Sequence, residues 1–238
     1  MCGTCGCTED VEHGHGHTVA LEVDVLAKND GLAAANREEF ARRGIVVVNL
    51  MSSPGSGKTT LLERTVRELD LPVSVLEGDQ ETVLDADRIA ATGARVVQVN
   101  TGAGCHLDAT MLARAMAALA PTPGSVMVVE NVGNLVCPAL FDLGEAARVV
   151  VMSVTEGADK PLKYPHMFRT ADLVLLNKVD LLPYVDFDVA TWTAAVERVR
   201  PGVEVLSVSA TRGDGLDTWY AWLRAGIASR RGGTATSE

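Results

Sequence analysis

The chain lacks an excess of basic residues: 21 Lys and Arg stand against 31 Asp and Glu, a formal net charge of −10. With no basic stripe to meet a phosphate backbone, the composition argues against a nucleic-acid partner. No apolar run approaches the roughly 18 residues that a membrane span needs, so no membrane association is expected. The first residues also lack the basic-then-apolar order of a signal peptide. Five cysteines in 238 residues, with Cys2, Cys5 and Cys7 crowded at the start, do not form a disulfide framework. An odd thiol count without an export signal points to reduced cysteines, metal binding and a cytoplasmic location. What remains is 47% hydrophobic and 22% charged. That suits a globular chain, long enough to bury one full core with appendages.

The apolar run Ile45–Met51 is followed by Ser52-Ser53-Pro54-Gly55-Ser56-Gly57-Lys58-Thr59-Thr60 and then by a helical stretch from Leu61. Strand, glycine loop and helix opening in Gly-Lys-Thr make the P-loop context, with Ser52 where the first glycine usually stands. Gly55 and Gly57 let backbone N–H groups turn inward, and the helix start adds partial positive charge. Gly55, Ser56, Gly57, Lys58, Thr59 and Thr60 are therefore the expected phosphate cradle. Lys58 would reach the β- and γ-phosphates, and Thr59 would offer its hydroxyl to Mg²⁺.

Further apolar runs at Val73–Leu76, Arg95–Val99, Val126–Val129, Val149–Val154, Leu173–Leu176 and Glu204–Val208 alternate with helical stretches. Uninterrupted Val/Leu strands imply a sheet covered on both faces, hence an α/β fold with a largely parallel sheet of about seven strands. The expected layout is a flexible Cys/His tail over 1–18 and a helical segment over 19–44, broken near Asn29-Asp30-Gly31. A P-loop domain over 45–228 and a disordered tail over 229–238 follow.

Leu175–Asp180 closes a strand with Asn177-Lys178-Val179-Asp180. Guanine presents two adjacent donors, N1–H and the 2-amino group, and an ionised Asp180 accepts from both. Adenine would face that carboxylate with an acceptor. Asn177 is placed at the other edge of the base and the Lys178 stem over its ring, with Ser209-Ala210 as a second base loop. The expected nucleotides are GTP and GDP. Asp79 and Glu130 each follow an apolar run, where a P-loop protein holds Mg²⁺. Lys58, Thr59, Asp79 and Glu130 are the catalytic candidates, and Gly133 could offer an N–H to the γ-phosphate. Asp79 and Asp85 are candidates for a first switch loop, and Asp85 reads equally as a helix N-cap. No glutamine or arginine stands out as a catalytic finger, so slow intrinsic hydrolysis is expected.

Three further groups carry soft or imidazole ligands. Cys2, Cys5 and Cys7, with the N-terminal amine, would make an S₃N set for square-planar Ni²⁺ or tetrahedral Zn²⁺. His13, His15 and His17 alternate with glycine, a metal-binding composition or a chance feature of a loose tail. Cys105 and His106 on one glycine loop, and Cys137 on the segment that starts at Glu130, could share one ion. Free cysteines are also commonly small buried hydrophobes, and that second reading stays open.

These residues resemble the HypB family of hydrogenase nickel-insertion GTPases over nearly the whole chain. The resemblance rests on Cys2-x-x-Cys5-x-Cys7, Ser53–Thr59, Gly78-Asp79, Cys105–Asp108, Glu130–Pro138, Glu156–Pro165 and Asn177–Asp180. It implies a metallochaperone that dimerises with GTP bound. It implies a tight nickel site at Cys2, Cys5 and Cys7, and a weaker nickel or zinc site at Cys105, His106 and Cys137 across the dimer. It also implies nickel delivery to the large-subunit precursor of [NiFe]-hydrogenase, with a zinc-binding partner nickel chaperone. The family's long histidine stretches are reduced here to three histidines, which argues for delivery over storage. A urease-type nickel-insertion GTPase, a nickel buffer and a P-loop kinase are the alternatives. The thiol cluster disfavours the first, Lys58-Thr59 with Asn177–Asp180 the second, and Asn-Lys-x-Asp the third.

Overall fold

A computed structural model describes residues 14–79, 84–102 and 104–233. In chain order the elements are α1 (Gly14–Arg43), β1 (Val46–Met51), α2 (Lys58–Glu68), β2 (Val73–Asp79), α3 (Leu84–Ala90), β3 (Arg95–Asn100), α4 (Ala109–Leu119) and β4 (Val126–Glu130). They continue with β5 (Ala147–Ser153), α5 (Lys160–Lys163), α6 (Pro165–Arg169), β6 (Leu173–Asn177), α7 (Val189–Val199), β7 (Glu204–Ser207) and α8 (Leu216–Gly233). The strands form one seven-stranded sheet in the order β3-β2-β4-β1-β5-β6-β7, and every neighbouring pair is parallel. This is the parallel α/β sheet expected from the Val/Leu runs.

Alternation along β1 shows why both faces are covered. Val46, Val48 and Leu50 join Leu61, Leu62, Trp219 and Leu223 in one core, under α2 and α8. Ile45 and Val47 join Phe40, Leu112 and Met116 in a second core, under α1 and α4. Met51 belongs to a third, with Met167, Phe168 and Trp192 under α6 and α7. Since β1 lies at the centre and the chain departs from it to both sides, loops following β1, β2, β4 and β6 meet at one edge. In an open α/β sheet that edge is where ligands bind.

Two boundaries differ from expectation. First, α1 is unbroken through Asn29-Asp30-Gly31 and begins at Gly14, inside the stretch read as tail. Asn29, Ala33, Asn36 and Phe40 fall on one buried face at helical spacing. The Asn29 amide donates to Asp142 O (2.8 Å) and accepts from Ala109 N (2.9 Å), and Asn36 donates to Ala109 O and Leu143 O (2.9 and 3.1 Å). Two amides on the buried face give the segment a turn-like composition, while their tertiary bonds hold it as a helix. Once docked, the helix extends at little cost per residue. Second, α8 runs past Ser229 to Gly233 instead of ending at 228, and the Ser229 hydroxyl donates to Gly226 O at 3.0 Å. Cys2, Cys5, Cys7 and His13 lie outside the described residues, as do 234–238 of the expected tail.

Candidate nucleotide and metal site

The P-loop leaves β1 and turns into α2 at Gly57, whose φ of 97° is left-handed. A Cβ there would lie 2.6 Å from Asn177 Nδ2, so both torsion and space require glycine. Lys58 opens α2, buried, and its Nζ donates to Ser52 Oγ at 2.6 Å. The serine at the position of the usual first glycine is thus a partner for the lysine. Burial holds the Lys58 ammonium below its ordinary pKa, against the pull of Glu130, Asp85, Glu156 and Glu77. Ser53 donates to Glu156, which also accepts from Ser153 N (3.0 Å) and pairs with Lys160 (3.3 Å). That explains why Glu156 and Lys160, which carry only resemblance in the sequence, sit beside the loop.

A cavity of about 490 Å³ opens over this loop, lined among others by Gly55, Lys58, Thr59, Thr60, Asp79, Glu130 and Gly133. Thr59 Oγ1 donates to Glu130 Oε1 at 2.8 Å. In the parallel register of β2 and β4, Glu77 lies opposite Glu130. Both carboxyls are buried, and among the described residues Glu77 Oε2, Glu130 Oε2 and Ser56 Oγ have no hydrogen-bond partner. Burial pushes Glu77 to about 8, reinforced by the charges of Glu130 and Asp79. Burial likewise raises Glu130 to about 7, opposed by Lys58 and by the Thr59 hydrogen bond. Two facing buried carboxyls, each with an unpartnered oxygen, beside a phosphate cradle fit a divalent cation, whose charge would satisfy both.

Sequence reasoning misses Glu77, because Glu77-Gly78-Asp79 draws attention to Asp79, and only the strand register shows that Glu77 faces Glu130. Asp79 ends β2 at the cavity. Asp85 sits inside the first turn of α3, not at its N-cap, and pairs with Arg88 at 3.3 Å. Arg88 lines the same cavity and bonds Glu63 (2.8 Å) and Thr60 (3.3 Å) on α2. Nothing in its sequence surroundings marks it; the packing of α3 on α2 brings it there.

At the other end of the P-loop, Lys178 adopts a left-handed φ of 62° and donates to Gly55 O at 2.7 Å. Asn177 donates to Ser56 O (2.9 Å) and accepts from Ala210 N (3.0 Å). Its amide therefore ties three loops together. Asp180 accepts from Ser209 Oγ at 2.6 Å, which aims its carboxylate from the same loops.

The second cluster lies beyond the same strand ends. The ligand atoms of Cys105, His106 and Cys137 all fall within 4.8 Å of one another. Two sulfurs bound to a tetrahedral ion would sit roughly 3.8 Å apart, so modest closure would complete the set. Cys105 Sγ is 3.7 Å from His106 Nδ1, and the imidazole stacks on Phe141 with centroids 3.8 Å apart. Burial lowers the His106 pKa from its usual value, against the charge of Asp108, which favours the neutral ring that a metal needs. A hydrogen bond with Cys105, followed by burial, raises the Cys137 thiol. The Asn134 side-chain oxygen Oδ1 accepts from Val136 N and Cys137 N (2.7 and 3.2 Å) and shapes the turn that presents Cys137.

A family model described as the CobW/HypB/UreG nucleotide-binding domain matches residues 46–207. The "Hydrogenase maturation factor HypB" of Rhizobium leguminosarum bv. viciae is 57% identical over 214 residues, covering 89% of this chain and 72% of that protein. The chain belongs to the HypB family of hydrogenase maturation factors. The family's solved members agree with the fold. HypB from Archaeoglobus fulgidus is 38% identical with a TM-score of 0.79, covering 85% of this chain and 100% of that one. HypB from Helicobacter pylori, solved in complex with nickel, is also 38% identical with a TM-score of 0.79, covering 85% and 96%. The P-loop and parallel sheet are those of a nucleotide-hydrolysing HypB domain. No helix among the described residues is long and apolar enough to cross a membrane.

Proposed function

We propose that this HypB-family chain is a cytoplasmic GTPase that hydrolyses GTP to GDP and phosphate and carries nickel as cargo for [NiFe]-hydrogenase maturation. The observation that carries the reading is the convergence of Cys105, His106 and Cys137 beside a P-loop cavity, with Glu130 and Cys137 on one continuous segment. Asp180 reads guanine, Lys58 and the Gly55–Thr60 amides bind the phosphates, and Gly133 offers its N–H to the γ-phosphate. Thr59, Asp79 and Glu130 would hold Mg²⁺, which when bound neutralises phosphate charge. Hydrolysis is slow without a partner.

Nickel is held tightly by Cys2, Cys5 and Cys7. Nickel or zinc is held less tightly by Cys105, His106 and Cys137, at an interface completed by a second copy in the GTP state. A zinc-binding nickel chaperone and the hydrogenase large-subunit precursor are the partners. The test is nickel titration of the reduced chain against its Cys2→Ala/Cys5→Ala/Cys7→Ala variant. One tight equivalent should disappear while the weaker site and GTP turnover persist. A variant that keeps the tight equivalent removes the tail from the reading.

A further inference from the structure

The amides buried between the nucleotide cavity and the Cys105–His106 loop bind neither phosphate, base nor metal in the reading above. Asn131 directly follows Glu130 and is 1% exposed. Its Oδ1 accepts from Val132 N at 2.9 Å and from Leu107 N, next to His106, at 3.3 Å. Its Nδ2 donates to Asn49 Oδ1 on β1 at 3.1 Å, and Asn49 Nδ2 donates to Glu145 Oε1 at 3.3 Å. Glu145 also accepts from Leu143 N (2.7 Å) and Arg148 Nε (2.6 Å), on the stretch downstream of Cys137. A continuous polar chain thus crosses the central strand β1, whose other residues are all apolar. Buried amides are costly unless satisfied, and here the side-chain atoms of both asparagines are bonded. Packing alone would be served as well by an apolar side chain at position 49.

We infer that Asn131 is a positioning residue that couples the nucleotide cavity to the Cys105/His106/Cys137 cluster, acting through Leu107 and Asn49. The inference rests on the proposed metal and GTP sites. Asn131, Val132 and Gly133 line the cavity, so a ligand atom arriving or leaving there would shift the Val132 amide. The same Asn131 oxygen serves Val132 and Leu107, and the Leu107 bond is the longer and weaker of the two. Displacement at Val132 therefore tightens or releases Leu107, and with it His106 and Cys105. On the other side, Asn49 anchors Asn131 to Glu145, so the movement is referred to the fixed central strand.

The test compares the full reduced chain with Asn131→Ala and Asn49→Ala, each saturated with GDP or a non-hydrolysable GTP analogue. Nickel alone is the metal probe, and exchange of the Leu107 amide is followed in parallel without metal. Wild type should show nickel affinities at the domain site differing between nucleotide states by roughly 5–150-fold. That ratio should collapse towards unity in Asn131→Ala, where Leu107 exchange also loses its dependence on nucleotide. Asn49→Ala, which keeps the Leu107 acceptor, should lose only part of the ratio. A folded Asn131→Ala that keeps both the wild-type ratio and wild-type Leu107 exchange overturns the inference.

Should Asn131→Ala fail to fold, Asn131→Leu decides. It fills a similar volume but removes the oxygen that accepts from Val132 N and Leu107 N, and an undiminished ratio overturns the coupling. Equal nickel affinities in wild type would instead contradict the proposed function. The coupling is then read from Leu107 exchange: nucleotide-dependent exchange lost in Asn131→Ala supports it, and equal exchange overturns it.

Discussion

Asp180→Asn is expected to shift the proposed guanine preference towards xanthosine nucleotides. The Asp180 carboxylate accepts from Ser209 Oγ at 2.6 Å, leaving its remaining lone pairs for the two donors on the guanine edge. An amide in the same place offers one acceptor and one donor, which suits the 2-oxo group of xanthine and meets guanine's 2-amino group donor to donor. A mispaired buried contact of this kind costs on the order of 2–5 kcal/mol, so GTP should weaken by more than tenfold. Competition between GTP and xanthosine triphosphate, measured for both proteins, checks the exchange. Unchanged GTP affinity in the variant would remove Asp180 from base recognition.

The second large effect is expected at Gly57. Alanine there must hold a left-handed φ near 97°, and its Cβ would lie 2.6 Å from Asn177 Nδ2. The torsion alone costs roughly 1–2 kcal/mol. Displacing Asn177 breaks its bonds to Ser56 O and Ala210 N, each worth about 1 kcal/mol, and separates the P-loop from the base loops. Gly57→Ala should therefore lose about 2–4 kcal/mol of stability and bind GDP at least roughly tenfold more weakly. Gly31→Ala is the control. It lies within α1, a Cβ there meets nothing within 4 Å, and it should be neutral or stabilising by up to about 1 kcal/mol. Equilibrium unfolding and GDP titration distinguish the two. A Gly57→Ala protein as stable and as tight as wild type would contradict the account of the loop.

The strands, the P-loop and the Asn-Lys-x-Asp tetrad are legible in the sequence because each has a local signature. Buried parallel strands are continuous Val/Leu runs, and a phosphate loop needs glycine at fixed offsets from lysine and threonine. Non-local features are not legible. The continuity of α1 depends on Asn29 and Asn36 finding backbone partners around Ala109 and Asp142–Leu143, far along the chain. Glu77 acquires meaning only from its register opposite Glu130, and Arg88 only from α3 lying on α2. Cys105, His106 and Cys137 can be named as a candidate set from the sequence, but that their loops share one edge follows only from the order β3-β2-β4. The tetrad motif puts Asn177 at the base, whereas the fold uses both ends of its amide to tie loops. A side chain's type suggests what it can bond, and its neighbours decide which bond it makes.

The central claim is that nucleotide state governs the metal cluster. Its most direct test is the nickel affinity of the Cys105/His106/Cys137 site in the Cys2→Ala/Cys5→Ala/Cys7→Ala background, where the tail thiols no longer compete. Affinity is measured at saturating GDP and at saturating GTP analogue, alongside dimer dissociation constants with and without nickel. The account predicts reciprocal linkage, with metal tightening the dimer by the same factor that dimerisation tightens metal, a coupling of roughly 1–3 kcal/mol. Identical nickel affinities in the two nucleotide states, with a dimer constant indifferent to nickel, would contradict it.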